Sequence, residues 1–412
     1  MTCGLPNIKE RWNMDERFAE FSRKDFESRY NRLKKEMHIN KTDILVLTDT
    51  NNIRWASGYW NSIMDIMPTA VIIPLSDDRG PVLYMNSDAT GMDLTWIEDV
   101  RFWEEKKGSQ PYDGGHIPDV GKIMARCVTE LGGEDARIGL ELSGGMKLNL
   151  DQGDIDIFRE TLTTAEFVDF SPSLWRLRSI KSGEEIEKIR RACSITAETL
   201  KESFLLLKPG VTERQFSQII QSRWFQKGAT GSDYVSVGFG KYSVKYGHYI
   251  PRDVPLERGD LVKVDLGCSY EGYRADMYRL ACAGKATDLE EKISSAVKKA
   301  NQAAVRIIRE GVKCSELFDA AARVLEDEGF LSILGSTSIG HGLGLDIHEW
   351  PFILKGDDTE LRPNMVIAVE PWVLDFSDWS HVVNIEDNIL VTEEGHEVLT
   401  DMDRDIFRLD VN

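Results

Sequence analysis

Gly259-Asp-Leu-Val-Lys-Val-Asp265-Leu-Gly-Cys268, followed by Tyr273-Arg-Ala-Asp276-Met-Tyr-Arg-Leu280, reads as a turn feeding a strand that ends in Asp265 and a returning strand that carries Asp276. Two carboxylates at the facing ends of such a hairpin can reach one point. Downstream, Gly340-His341-Gly-Leu-Gly-Leu-Asp-Ile-His348-Glu-Trp350 supplies two imidazoles, and Met365-Val-Ile-Ala-Val-Glu370-Pro371 and Val383-Asn-Ile-Glu386-Asp-Asn-Ile-Leu-Val391 each place an acid within or at the end of an apolar run. A carboxylate in such a setting is costly to bury unless a cation accompanies it. Asp265, Asp276, His341, Glu370 and Glu386 together suit a pair of divalent ions. The oxygen-rich set favours Mn²⁺, with Fe²⁺, Co²⁺ and Zn²⁺ as other candidates. Two ions roughly 3.5–4 Å apart can share a water, lower its pKa and clamp a hydrolytic transition state.

Outward from this region, Ser182-Gly-Glu-Glu185 is a capping box that opens an amphipathic stretch through Ile186, Ile189, Cys193 and Leu200, and Thr212 with Gln215 opens a shorter helix that should stop by Gly228. Gly210-Val211 and Gly228 recur as Gly311-Val312 and Gly329, at one offset of 101 residues (311 − 210 and 329 − 228), the pattern expected of two related halves. Before the small polar cluster Ser171-Pro-Ser173, helical and strand-like segments alternate, as in an α/β domain. They include a helix over 25–39 and strands at 43–48, 69–74, 81–85 and 137–142, with no chemical motif among them. The expected domains are residues 1–173 and 174–412.

The chain's 412 residues leave room for two domains, and its formal net charge of −19 makes nucleic acid and anionic membrane surfaces poor partners. No apolar run of about 18 residues and no signal-peptide pattern occurs, so a cytoplasmic protein is expected. Cys3, Cys127, Cys193, Cys268, Cys282 and Cys314 form no Cys-x-x-Cys pair and read as reduced, packed thiols. There is no Gly-x-Ser-x-Gly elbow, P-loop or dinucleotide fingerprint.

The order and setting of Asp265, Asp276, His341, Glu370 and Glu386, with Glu370-Pro371 and Ile385-Glu386-Asp387, resemble the five-ligand signature of the pita-bread metallopeptidases: methionine aminopeptidase, aminopeptidase P and prolidase. The resemblance spans about 174–400, and the long N-terminal part is similar to that of the aminopeptidase P, prolidase and creatinase branch. It implies an α+β protein, with a creatinase/prolidase-like α/β domain followed by a pita-bread catalytic domain of pseudo-twofold symmetry. It also implies two bound divalent metal ions, a metal-bridging water, Glu370 as proton shuttle, substrate-facing His248 and His348, and a homodimer. The activity implied is hydrolysis of a small peptide or amide, foremost as an Xaa-Pro dipeptidase or aminopeptidase. Relatives acting on small zwitterions (creatinase, ectoine hydrolase, dimethylsulfoniopropionate lyase) give the alternative, and a binding module that has lost catalysis gives a more distant one. Asn384 stands where the prolyl peptidases usually carry Arg, which removes a charge near Glu386. Trp372 follows Glu370 where a small residue is usual, and Trp350, Trp372 and Trp379 read either as core or as an aromatic wall for a proline ring or a cationic group.

Overall fold

A computed structural model describes residues 20–61, 64, 67–85, 94–103, 120–240, 250–330, 337–374 and 382–410. The chain divides into two compact units, Met1–Leu177 and Arg178–Asn412.

In the first unit a six-stranded mixed sheet runs in the order β4-β3-β2-β1-β5-β6, with β1 Ile44–Leu47, β2 Ala70–Pro74, β3 Val82–Met85, β4 Asp99–Phe102, β5 Arg137–Leu140 and β6 Glu166–Asp169. Strands β1, β2 and β3 are buried at every position, as expected where both faces of a sheet are covered. The helices are α1 Arg23–Ile39, α2 Thr50–Ser57, α3 Val120–Glu130, α4 Gln152–Thr161 and α5 Ser171–Ser179, the last containing the division between the units. Ser22 caps α1 by accepting from the Asp25 N–H. The expected helix and four strands all occur. None of α2, α3, α4, α5, β4 and β6, which are short, is among the expected elements, and Ser171-Pro-Ser173 opens α5.

The second unit is built twice. Helices α6 Gly183–Phe204 and α7 Glu213–Gln226 precede β7 Gly231–Phe239, β8 Leu261–Tyr270, β9 Tyr273–Arg274 and β10 Met277–Cys282. Helices α8 Asp288–Arg306 and α9 Cys314–Asp327 precede β11 Ser338–Gly342, β12 Glu349–Leu354, β13 Val366–Val369, β14 Trp372–Leu374, β15 Val382–Asn384, β16 Asp387–Val391 and β17 His396–Val398, and β18 Phe407–Arg408 closes the chain. One sheet is ordered β18-β10-β8-β7 with β9 on β8, the other β12-β11-β13-β16-β17, and β14 pairs only with β15. Both capping boxes form, at Ser182 and at Thr212.

The repeat survives in detail. Both ends of α9 lie 101 residues after those of α7. Gly210 and Gly311 both have left-handed φ, of 91° and 80°, as do Gly228 and Gly329, at 93° and 81°. Gly210 N–H donates to Leu256 O and Gly311 N–H to Leu361 O, both at 2.9 Å, while Leu256 and Leu361 return bonds to Val211 and Val312. Each helix pair packs its own core: Phe216, Ile220 and Trp224 pack with Val262, Val264 and Leu266, and Leu317, Ala321 and Leu325 pack with Ile367, Val369 and Ile389. Because side chains alternate along a strand, Asp265 lies on the face of β8 turned away from the first core.

Among the described residues no helix is long and apolar enough to cross a membrane. Cys127, Cys193, Cys268, Cys282 and Cys314 are free and buried; Cys3 lies outside the described residues.

Candidate metal centre

Asp265 sits in the interior of β8, not at its end as the sequence suggested, opposite Ser236 of β7 and Tyr278 of β10. The strand continues because a close crossing needs it: a Cβ at Gly267 would lie 1.8 Å from Ala275 O, so only glycine lets β8 pass the chain that presents Asp276. Asp276 falls in the break between β9 and β10, its N–H donating to Asn388 Oδ1 at 2.8 Å. The Cys193 thiol donates to the same oxygen at 3.2 Å.

His341 lies in β11, where the pairing with β12 shifts register on both sides of it. Gly340 precedes it at φ 154°, and a Cβ there would meet Ala368 O at 2.0 Å, so β11 approaches β13 as only a glycine allows. The His341 Nδ1 is 2.9 Å from Gly342 O. A carbonyl can only accept, so Nδ1 carries the proton in the neutral ring and Nε2 keeps its lone pair for the site.

Glu370 follows β13 and Glu386 lies between β15 and β16. One side chain sets both ends. Asn301 of α8, fully buried, donates from Nδ2 to Val369 O at 2.9 Å and Ile385 O at 3.3 Å, the carbonyls just before the two glutamates. Behind Glu386, buried Arg279 donates to its carbonyl at 2.6 Å and to Asp387 Oδ1 at 2.6 Å, while Arg404 holds Asp387 Oδ2 at 2.6 Å. Asn384 donates from Nδ2 to Glu370 Oε2 at 3.1 Å.

The five residues come together. Donor atoms of Asp265, Asp276 and Glu386 lie within 4.8 Å of one another, as do those of His341, Glu370 and Glu386, and those of Asp276, His341 and His348. His348 is exposed, with its ring edge-on to His341 at 4.2 Å between centroids. Tyr234 of β7, which no motif in the sequence marks, places its hydroxyl on the Oδ1 atoms of both Asp265 and Asp276. His248 and Trp379 lie outside the described residues. Fully buried Glu213 accepts from Phe239 N–H at 3.0 Å and Arg252 N–H at 3.1 Å. Trp350 packs on the second core, and half-buried Trp372 pairs directly across from Asn384.

Electrostatically this cluster asks for cations. Burial, then the Asp276 charge, pushes Asp265 well above its usual value. Burial also raises Asp276, to about 7, with Glu370 adding to the effect. Glu386 is raised by burial and by Asp276, Glu370 and Asp265 together. Burial opposes the charged forms of His341 and Glu370 too, but their mutual attraction outweighs it, raising His341 to about 9 and lowering Glu370. His341 Nε2 and Glu386 Oε1 are nonetheless buried without a hydrogen-bond partner. Buried polar atoms left so are rare and costly. A divalent metal, taking the place of the Nε2 proton, would satisfy both atoms, so the residues present suit such an ion.

The chain matches the metallopeptidase family M24 over residues 187–393 and the creatinase/prolidase N-terminal domain over residues 29–180. It is 29% identical to an Xaa-Pro dipeptidase of Pyrococcus horikoshii over 318 residues, covering 73% of this chain and 90% of that protein. It is 30% identical to an Xaa-Pro dipeptidase of Pyrococcus furiosus over 262 residues, covering 64% and 74%. Among solved structures, the Xaa-Pro dipeptidase from Bacillus anthracis superposes with a TM-score of 0.79 at 25% identity, covering 93% of this chain and 100% of that one. The X-Pro aminopeptidase from Thermotoga maritima, at 24% identity, shares the fold with a TM-score of 0.77 over 92% and 99%. A duplicated helix-and-sheet core around a carboxylate–histidine cluster, following a creatinase/prolidase-type domain in the chain, is thus the pita-bread architecture, and the chain belongs to metallopeptidase family M24.

Proposed function

We propose that this metallopeptidase hydrolyses Xaa-Pro peptides at a dinuclear centre held by Asp265, Asp276, His341, Glu370 and Glu386. The observation that carries the reading is that the five residues fall into two donor groups, Asp265–Asp276–Glu386 and His341–Glu370–Glu386, which overlap at Glu386 as a ligand shared between two ions would. Two divalent ions, Mn²⁺ by the oxygen-rich donor set, would when bound polarise the scissile carbonyl and lower the pKa of a water. Glu370 is the residue placed to move protons. Its side chain is 25% exposed, with Oε2 on Asn384 and Oε1 3.4 Å from His341 Nε2, and in this reading it takes a proton from the attacking water and returns it to the leaving nitrogen. His348, exposed beside His341, would donate toward the carbonyl oxygen as charge develops, and His248 is assigned a substrate-facing role with it. In this reading residues 1–173 form the front domain and 174–412 the catalytic domain of a cytoplasmic homodimer that binds neither nucleic acid nor membrane.

Asn384 favours a second reading. It offers substrate a neutral amide, and Trp372 opposite it offers a π-face, a combination suited to a small zwitterion with a cationic head. A panel of Ala-Pro, Ala-Pro-Gly and small betaine-like or amidino compounds on Mn²⁺-loaded protein separates the two. Hydrolysis of the Xaa-Pro bond is expected; turnover of a zwitterion with none of any peptide would replace the first reading with the second.

Asn301 makes a further prediction. Exchanging it for Leu frees the two strand ends that precede Glu370 and Glu386, and divalent-metal affinity should fall about 10–100-fold, as when groups orienting metal ligands are lost. Calorimetric titration of chelator-treated protein measures this, and an unchanged affinity would remove Asn301 from the account.

A further inference from the structure

The loop that presents His348 is built around a buried ion cluster on which the proposed chemistry does not draw directly. Glu349 opens β12 at 1% exposure, with Arg178 Nη2 on its Oε1 and Lys181 Nζ 3.1 Å from its Oε2; both cations are 2% exposed. Arg178 also reaches Asp346 Oδ2 at 2.7 Å, and the Asp346 N–H donates to Glu349 Oε1 at 3.1 Å. Burial alone would raise the Glu349 carboxyl, but Arg178 and Lys181 hold it at about 2, so it is ionised.

Residues 343–348 fold over this carboxylate. A Cβ at Gly344 would sit 2.7 Å from both Glu349 oxygens, so the chain passes there only as glycine. Arg274, from the hairpin that carries Asp276, pins the loop from the other side, its N–H on Gly344 O at 2.9 Å and its Nε on Leu345 O at 2.8 Å. His348 stands between Asp346 and Glu349, the two acids that the cluster fixes.

Removing three charges from water stabilises a fold little beyond what a well-packed apolar set would, and such clusters serve best where one geometry must be enforced. We propose that Glu349, with Arg178 and Lys181, is a positioning unit that holds His348 over His341 and acts on the reaction only through His348. The inference rests on the reading of His348 as a group that meets the substrate.

A double-mutant cycle tests it. On Ala-Pro with Mn²⁺-loaded protein, Glu349→Gln is expected to lower kcat about 10–100-fold, the scale of an ångström's misplacement, with KM and bound metal little changed. In a His348→Ala background the same substitution should cost nothing further, because its target is gone. Asp346→Asn, which removes a part-exposed partner of Arg178, should show the same coupling with a smaller loss, and it serves if Glu349→Gln fails to fold.

The His348 ring proton resonance, assigned by its disappearance in His348→Ala, gives a readout in metal-free protein without substrate. Glu349→Gln or Asp346→Asn should shift it as the ring leaves His341. Equal losses with and without His348, loss of bound metal, or an unmoved resonance would overturn the positioning role. A His348→Ala variant as active as the parent would instead overturn the reading of His348, and the proposal with it.

Discussion

Replacing Glu386 by Gln is expected to strip the protein of bound divalent metal, lower peptide turnover on the order of 10³-fold, and at the same time raise the melting temperature of the metal-free protein at pH 8. The three effects have one origin. Glu386 belongs to two of the overlapping donor groups, so its loss takes a ligand from each ion. In the absence of metal the same carboxylate is a liability: burial and the charges of Asp276, Glu370 and Asp265 raise its pKa far above normal. Gln keeps the volume and removes the charge, which relieves the repulsion without opening a cavity. Function and stability trade against each other at this position, as they do where a site is assembled from mutually repelling groups. Metal analysis, steady-state kinetics and a thermal melt on the same preparation check the three arms. A variant that loses activity but keeps its metal would leave Glu386 a role other than ligand.

Metal-free protein should also become less stable as the pH rises from about 5 to about 9, and added Mn²⁺ should raise its melting temperature more at pH 8 than at pH 5.5. Asp276, raised to about 7 by burial and the neighbouring Glu370 charge, holds a proton in the folded state over a range in which the unfolded chain has released it. Stability falls with pH wherever the folded state binds more protons, here from the ordinary aspartate value near 4 up to about 7. His341 acts in the same direction over the next interval. Its pKa of about 9 gives stability that is complete below the ordinary histidine value of about 6.5 and is lost as pH passes through 9. Glu370, lowered by its attraction to His341, acts the other way but only below about 4.5, outside this window. Metal replaces these protons, so its stabilising effect grows as they leave. At about 1.4 kcal/mol per pKa unit, the difference between the two metal-induced shifts should reach at least about 5 °C. Metal increments that are equal at the two pH values, with a metal-free melting point that climbs between them, would contradict the assignment.

Much of this was legible in the chain because it violates ordinary patterning. Glu370 ends a run that is otherwise apolar, Glu386 sits in a strand-like run of Val, Ile and Leu, and the Gly-Val steps at Gly210 and Gly311 mark the repeat whatever the residues between them. What stayed hidden is the layer that orients these groups. Asn301 looks like any polar position on α8 until the fold brings Val369 O and Ile385 O to its amide. Tyr234 alternates along β7 as a strand aromatic should, and nothing local tells that its hydroxyl meets Asp265 and Asp276. Arg178 and Lys181 lie near the start of the second unit, and their partners Asp346 and Glu349 come from its other half. Such pairings are set by tertiary packing, which leaves no period in the sequence. The misplaced strand end at Asp265 has the same cause, since the crossing at Gly267 that carries β8 onward is a long-range contact. Asn384 was legible as a departure from the prolyl peptidases, but its consequence was not, because only the fold brings its amide to Glu370 Oε2.

The central claim, that Asp265, Asp276, His341, Glu370 and Glu386 hold a two-ion centre, is tested most directly by counting. Chelator-treated protein titrated with Mn²⁺ in a calorimeter at pH 8 should take up two ions per chain, and a saturation at one ion, or no binding at all, would contradict it.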